Sequence, residues 1–408
     1  MLKIFILLLP IFLYSQSLKS ILEYATKNSD IVVSKTQLQG AKSKNIEAKE
    51  SDYYPTLDIG ASYQTQNEKS TMLPGDVYTG YAKVSFDIYD GGKKSSALKQ
   101  SKHEYKSSAF DTKSTKKSLS LQIVQDFFNI KSLKSSLSSR EEANKSLLEQ
   151  LTRMQRFYIA KLATKDDVDR LQAAYDTNVY EIESIKFEIL SLKQSLELKV
   201  GKKITKLDDS RFLEFKEYDI ELIDSVKSLI SQKEALISNA RSVESIYYPQ
   251  IKIEDTYNMY DYGRDNHVQI DTLNRQNTLM LSLNMRIFDN ASVEKSKQVI
   301  MMNSQSINTQ VSYFKKEQEM RYKLSYEAIK TNHIKIKSAS SALTSASSAF
   351  KTISKKYDAG IVDNVTYLDA LTSQTKAKAL YETSLNDLEI AYANYYFYAG
   401  KNIEEFLE

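Results

Sequence analysis

Three histidines, one Gly-Gly-Lys-Lys run and scattered carboxylates are the residues of this chain that could do chemistry. His103, His267 and His333 stand far apart, and with no Cys and no HExxH spacing they make no metal site. Gly91-Gly92-Lys93-Lys94 lacks the spacing and the Ser or Thr of a phosphate-binding loop, so it reads as a strand-to-helix turn. No side chain is placed by motif as a nucleophile beside its base. The expectation is no enzyme and no cofactor. The absence of Cys also removes disulfides and a lipidated N-terminal thiol. With 56 Lys+Arg against 52 Asp+Glu the net charge is +4, which gives no pull toward nucleic acid.

The elements that hold these residues are unusual. Ten Gly and four Pro in 408 residues fall far below the roughly 12% of average usage. Lys93 to Val200 and Arg264 to Ala359 contain neither. Without turn residues such stretches cannot build doubly wound sheets, sandwiches or propellers, so long helices are expected. The one long apolar run, Ile4 to Tyr14, follows Lys3 and precedes Ser15-Gln16-Ser17. It is shorter than the roughly 17–25 residues of a spanning helix. Residues 1–17 therefore read as a secretory signal peptide, cut near Ser15 to Ser17.

The chain repeats itself. Tyr53-Tyr54-Pro55 returns as Tyr247-Tyr248-Pro249, and Phe86–Asp90 (FDIYD) returns as Met285–Asp289 (MRIFD). Tyr158 answers Tyr357 and Gly201 answers Gly400, at the same spacing as the FDIYD pair. Two copies of one unit follow, residues 18–213 and 214–408, each a helix, two strands and a long helical hairpin.

The strands are expected at about 56–66, 78–89, 250–260 and 277–288. Leu57, Ile59, Ala61 and Tyr63 alternate with polar residues, as do Leu279, Leu281 and Leu283, so each strand has one apolar face. Four such strands cannot close a barrel, for which about eight is the small end. Closure needs sister chains, and three would supply twelve strands. Tyr53, Tyr54, Tyr247 and Tyr248 at strand starts, with Tyr89 and Phe288 at strand ends, suit an interfacial girdle. The helices beginning at Lys93 and Glu294 would each run about 100 Å at 1.5 Å per residue. Leu147, Leu151, Met154 and Tyr158 make a heptad seam, matched by Ala346, Phe350, Ile353 and Tyr357. On the return helix Val168, Leu171, Tyr175, Ile182, Ile185, Ile189, Leu192 and Leu196 form another seam, interrupted by Asn178. The hairpin tips fall at Ile159–Asp167 and Asp358–Asn364.

Taken together, the signal peptide, the duplicated unit, the YYP and YDGG/FDNA junctions and the tip segments make the chain resemble the TolC-like outer-membrane efflux family. The tip pattern Y-x-x-G-x-x-x-x-x-x-x-L-D-A is met by Tyr357, Gly360, Leu368, Asp369 and Ala370. This resemblance covers nearly the whole mature chain. It implies a mainly α fold with transmembrane β: a homotrimer whose twelve-stranded barrel crosses the outer membrane above a periplasmic α-helical tube. It implies a passive exit duct, serving multidrug efflux or type I secretion. The duct would dock on a periplasmic adaptor and an inner-membrane pump of RND, ABC or MFS type. Gly201–Asp219 and Gly400–Glu408 would form a small collar.

By the same resemblance Tyr357 and Asp167 would share a hydrogen bond between hairpins, with Asp166 beside them, and Asp369 would form an acidic ring narrowing the pore. Val362 stands where an Arg often latches, and Thr366 where a second ring carboxylate is found; Asp363 and Asn364 are the polar groups left to compensate. Leu162, Ala163, Thr164, Gly360, Ile361 and Val362 would meet the adaptor. Two other classes fit less well. A periplasmic adaptor carries one hairpin flanked by Gly-rich domains, and an exported helical filament subunit needs no amphipathic strands.

Overall fold

The computed structural model describes residues 17–67, 75–205, 207–213, 215–263 and 273–408. The expected signal peptide, but for its last residue, lies outside them, as do parts of the two strand-connecting loops. The elements are α1 (Leu18–Asn28), α2 (Asp30–Ser51), β1 (Thr56–Thr65), β2 (Asp76–Asp90), α3 (Lys93–Ile159) and α4 (Lys165–Val200). After these come α5 (Asp224–Glu244), β3 (Gln250–Tyr262), β4 (Arg275–Asn284), α6 (Ser292–Asp358) and α7 (Asn364–Tyr398). The helices α3 and α6 are each 67 residues long. The chain divides into two compact units: residues 1–35, 112–224 and 315–408, and residues 36–111 and 225–314.

The first unit holds the main apolar core. In α1, Leu18, Ile21, Leu22 and Ala25 fall on one stripe at helical spacing and are all fully buried. They join Ile123, Val124, Phe127 and Phe128 of α3, Leu196 and Val200 of α4, and Tyr395 and Tyr396 of α7. The collar expected from the two glycine-led segments packs on this core. Phe212 pairs with Leu407 in a single antiparallel bridge, and Phe406 lies flat on Tyr396 with centroids 3.9 Å apart. Gly201 and Gly400, which the repeat aligns, both end helices at left-handed φ, +81° and +83°.

The second unit carries a four-stranded antiparallel sheet in the order β1-β2-β3-β4. Thr56 faces Ser85, Ser85 faces Glu254, and Glu254 faces Met280, which sets the register across all four strands. That register puts Leu57, Val84, Asp255 and Leu279 in one row and Ile59, Ala82, Tyr257 and Asn277 in the next, on a face that is mostly apolar. Ile59 is 80% exposed and Leu281 67%. Among the described residues nothing covers these side chains. The opposite face is polar, and there Glu254 pairs with Lys83 at 2.6 Å and Lys252 at 2.8 Å.

The fourth strand is shorter than the sequence pattern indicates. It ends at Asn284 rather than 288, because its last partner is Gln250 and Pro249 precedes that residue. Met285, Ile287 and Phe288 continue the alternation outside any strand. The Gly-Gly junction is the expected turn. Asp90 accepts the amides of Gly92 at 3.0 Å and Lys94 at 2.6 Å, capping α3. Asp289 caps α6 in the same way through Val293, at 3.1 Å. There the left-handed residues are Asn290 and Ala291 instead of two glycines.

Candidate functional site

The hairpin tips lie within the first unit, and their geometry begins with two capped turns. Between α3 and α4 the chain turns through Lys161, at φ +61°. The Thr164 hydroxyl accepts the Asp167 amide, and Asp167 reaches back to the Thr164 amide, a complete capping box. Between α6 and α7 the turn uses Gly360 at φ +71°, and Asp363 caps α7 by accepting the Thr366 amide at 2.9 Å.

Side chains from both hairpins then meet. Asn364 donates to the Asp167 carboxylate at 3.1 Å and to its carbonyl at 3.3 Å. The Arg153 guanidinium of α3 pairs with Asp358 of α6 at 2.7 Å and lies over the Tyr357 ring, 4.9 Å from its centroid. Lys378 of α7 reaches Glu142 of α3 at 2.7 Å. Beneath them Ala143, Leu147, Tyr357, Tyr367 and Leu371 form a small apolar cluster separate from the main core. The Tyr357 and Tyr367 rings stack at 4.7 Å, and burial pushes the Tyr367 hydroxyl up to about 12.

Within the chain Asp167 is not bonded to Tyr357. Asn364 donates to it instead. The Tyr357 hydroxyl is buried and has no hydrogen-bond partner among the described residues. Asp166 accepts from Arg170 one turn along its own helix, at 2.8 Å, and Asp369 is exposed on α7. Val362 is half-buried against the apolar cluster, while Leu162, Thr164, Gly360 and Ile361 are exposed and Ala163 is half-buried. Sequence reasoning missed Arg153. It adjoins the heptad seam, but nothing in the sequence says which carboxylate some two hundred positions on it will meet.

In the second unit, Tyr53, Tyr54, Tyr89, Tyr248 and Phe288 are exposed. Tyr247 is engaged differently. Its hydroxyl donates to Asp289 at 2.7 Å, tying the turn before β3 to the cap of α6.

Residues 22–183 match the outer membrane efflux protein family. Over that stretch, about two fifths of its length, the chain resembles that family. Solved structures share its fold at low identity. The outer membrane channel CmeC of Campylobacter jejuni superposes with a TM-score of 0.84 at 14% identity, covering 95% of this chain and 86% of that one. VceC, an outer membrane protein of Vibrio cholerae, gives 0.80 at 14% identity, over 95% and 96% of the two chains. A membrane protein from Pseudomonas aeruginosa gives 0.83 at 14%, over 94% and 93%. Among curated proteins none matches the chain in sequence.

Proposed function

We propose that three copies of this chain assemble into a passive exit duct, each contributing its four strands to one barrel and its long helices to one tube. The observation that carries this reading is the open sheet. Among the described residues its strands β1 and β4 have no outer neighbour, and its mostly apolar face is bare. Unpaired edges and an exposed apolar face are costly in water and in lipid, and closure with sister sheets removes both. Strands of 10 to 15 residues suit a tilted crossing of the hydrocarbon layer. On the helices, Tyr180, Phe187 and Leu198 of α4 and Met320, Leu324 and Ile334 of α6 form exposed apolar stripes. Neighbouring subunits would cover these stripes.

In this reading residues 18–213 and 214–408 are the two repeats, and the tips are the closed inner end. Leu162, Ala163, Thr164, Gly360, Ile361 and Val362 offer the docking surface for a periplasmic adaptor linked to an inner-membrane pump. Asp369 contributes to the constriction. Sizing after detergent extraction, followed by insertion into planar bilayers, tests the assembly. The duct requires a trimer from the outer-membrane fraction and discrete conductance steps. A water-soluble monomer rules it out.

A further inference from the structure

We propose that the foot of the sheet carries a binding site for multivalent oxyanions, built from Lys93 of α3 and Arg286 just beyond β4. The inference rests on the exit-duct reading, which gives the site its place in the lumen, and it names a class of solute that the duct would hold there.

A cavity of about 670 Å³ lies where β3 and β4 meet the ends of α3, α5 and α6. Its size is within the roughly 300–1,000 Å³ usual for small-molecule sites. Lys93, the first residue of α3 after the Gly-Gly turn, lines it together with Arg286, Gln250, Asn284 and Ser242. No Asp or Glu does. Among the described residues neither cation makes an ion pair or a side-chain hydrogen bond. Carboxylates on the same elements are engaged elsewhere. Asp87 pairs with Lys94 at 2.8 Å and Glu244 with Lys297 at 2.8 Å. Asp289 accepts the Tyr247 hydroxyl at 2.7 Å and the Val293 amide at 3.1 Å, and Glu254 is held between Lys83 and Lys252. Two positive charges therefore share one cavity without a counter-charge of its own. A guanidinium forks onto an oxyanion and an ammonium adds a point charge, while the Gln250 and Asn284 amides have N–H groups for the remaining oxygens.

The strand register decides where the anion comes from. Gln250 faces Asn284 and stands on the sheet face of Lys252 and Glu254, while Ile251 and Leu283 stand on the opposite, mostly apolar face. With the apolar face toward lipid, the cavity borders the lumen. Its ligand is then a dissolved anion and not a lipid headgroup. Three subunits would set these cations around one passage, where low-dielectric walls focus their field.

The test uses the full chain. In planar bilayers of phosphatidylcholine, wild-type conductance steps establish the duct, and inorganic tripolyphosphate should then block them. Lys93→Gln with Arg286→Gln should raise the half-blocking concentration about tenfold, whereas Lys93→Arg with Arg286→Lys should stay within about threefold of wild type. Calorimetric titration of the detergent-extracted protein should find one tripolyphosphate per subunit, and none in the double Gln variant. The titration needs no current, so silent bilayers count against the duct while binding still decides the site. Three results overturn the site. They are no tripolyphosphate bound by wild type, equal block of wild type and the double Gln variant, or block that vanishes once phosphatidylglycerol is added to the bilayer. The last would give the cations to a lipid headgroup.

Discussion

Glu389 of α7 accepts the backbone amide of Phe212 at 2.7 Å, fastening the collar segment to the main helical core. Burial pushes the Glu389 carboxyl above the usual carboxylate range, and the Phe212 amide pulls it only partly back. The folded chain therefore binds this proton more tightly than the unfolded chain. Between the ordinary Glu value and the raised one, stability falls as pH rises. Glu389→Gln keeps an acceptor for Phe212 and removes the buried charge. Thermal melts followed by circular dichroism should show the variant more stable than wild type above this window and level with it at lower pH. A variant that melts earlier at neutral pH contradicts the assignment.

Gly400 and Gly201 share a left-handed φ but not their surroundings. A Cβ on Gly400 would sit 2.6 Å from the Glu221 carbonyl oxygen, whereas on Gly201 the nearest atom, the Asn28 carbonyl oxygen, is 3.5 Å away. Gly201→Ala should cost about 1 kcal/mol, the backbone strain alone. Gly400→Ala adds a backbone clash and should cost about 2–3 kcal/mol. Urea unfolding midpoints of the two variants measure the difference, and equal losses would remove the clash argument.

On the polar face of the sheet, Glu254 bridges Lys83 and Lys252 and also accepts from Ser85 at 3.3 Å. If this face lines the barrel interior, Glu254→Gln uncovers two cations per subunit. Reversal potentials in a salt gradient should then shift toward anions, by about twofold in permeability ratio. No shift would put this face elsewhere than the lumen.

Asp369 makes a separate electrostatic prediction. It is exposed on α7 beyond the Asp363 cap, and a threefold ring of it would attract cations. Asp369→Ala should weaken block by multivalent cations about tenfold without changing trimer yield. Block at wild-type concentrations would take Asp369 out of the constriction.

The sequence alone settled the elements of this protein. Stretches free of Gly and Pro could only be long helices, period-two alternation marked the strands, and Pro and Gly marked the junctions; all of these are local properties, carried by neighbours along the chain. The resemblance to a known family was legible for the same reason, because its motifs are short and ordered. Pairing across the fold was not. Tyr158 and Tyr357 occupy the same place in the repeat, yet Tyr158 is 46% exposed and Tyr357 only 7%. Arg153 and Asp358, or Asn364 and Asp167, meet only because two hairpins lie side by side. The end of β4 at Asn284 is likewise set by where its partner strand begins. Which charge meets which carboxylate, and which of two repeated tyrosines is enclosed, depends on the approach of distant segments, and that approach is a property of the packed chain.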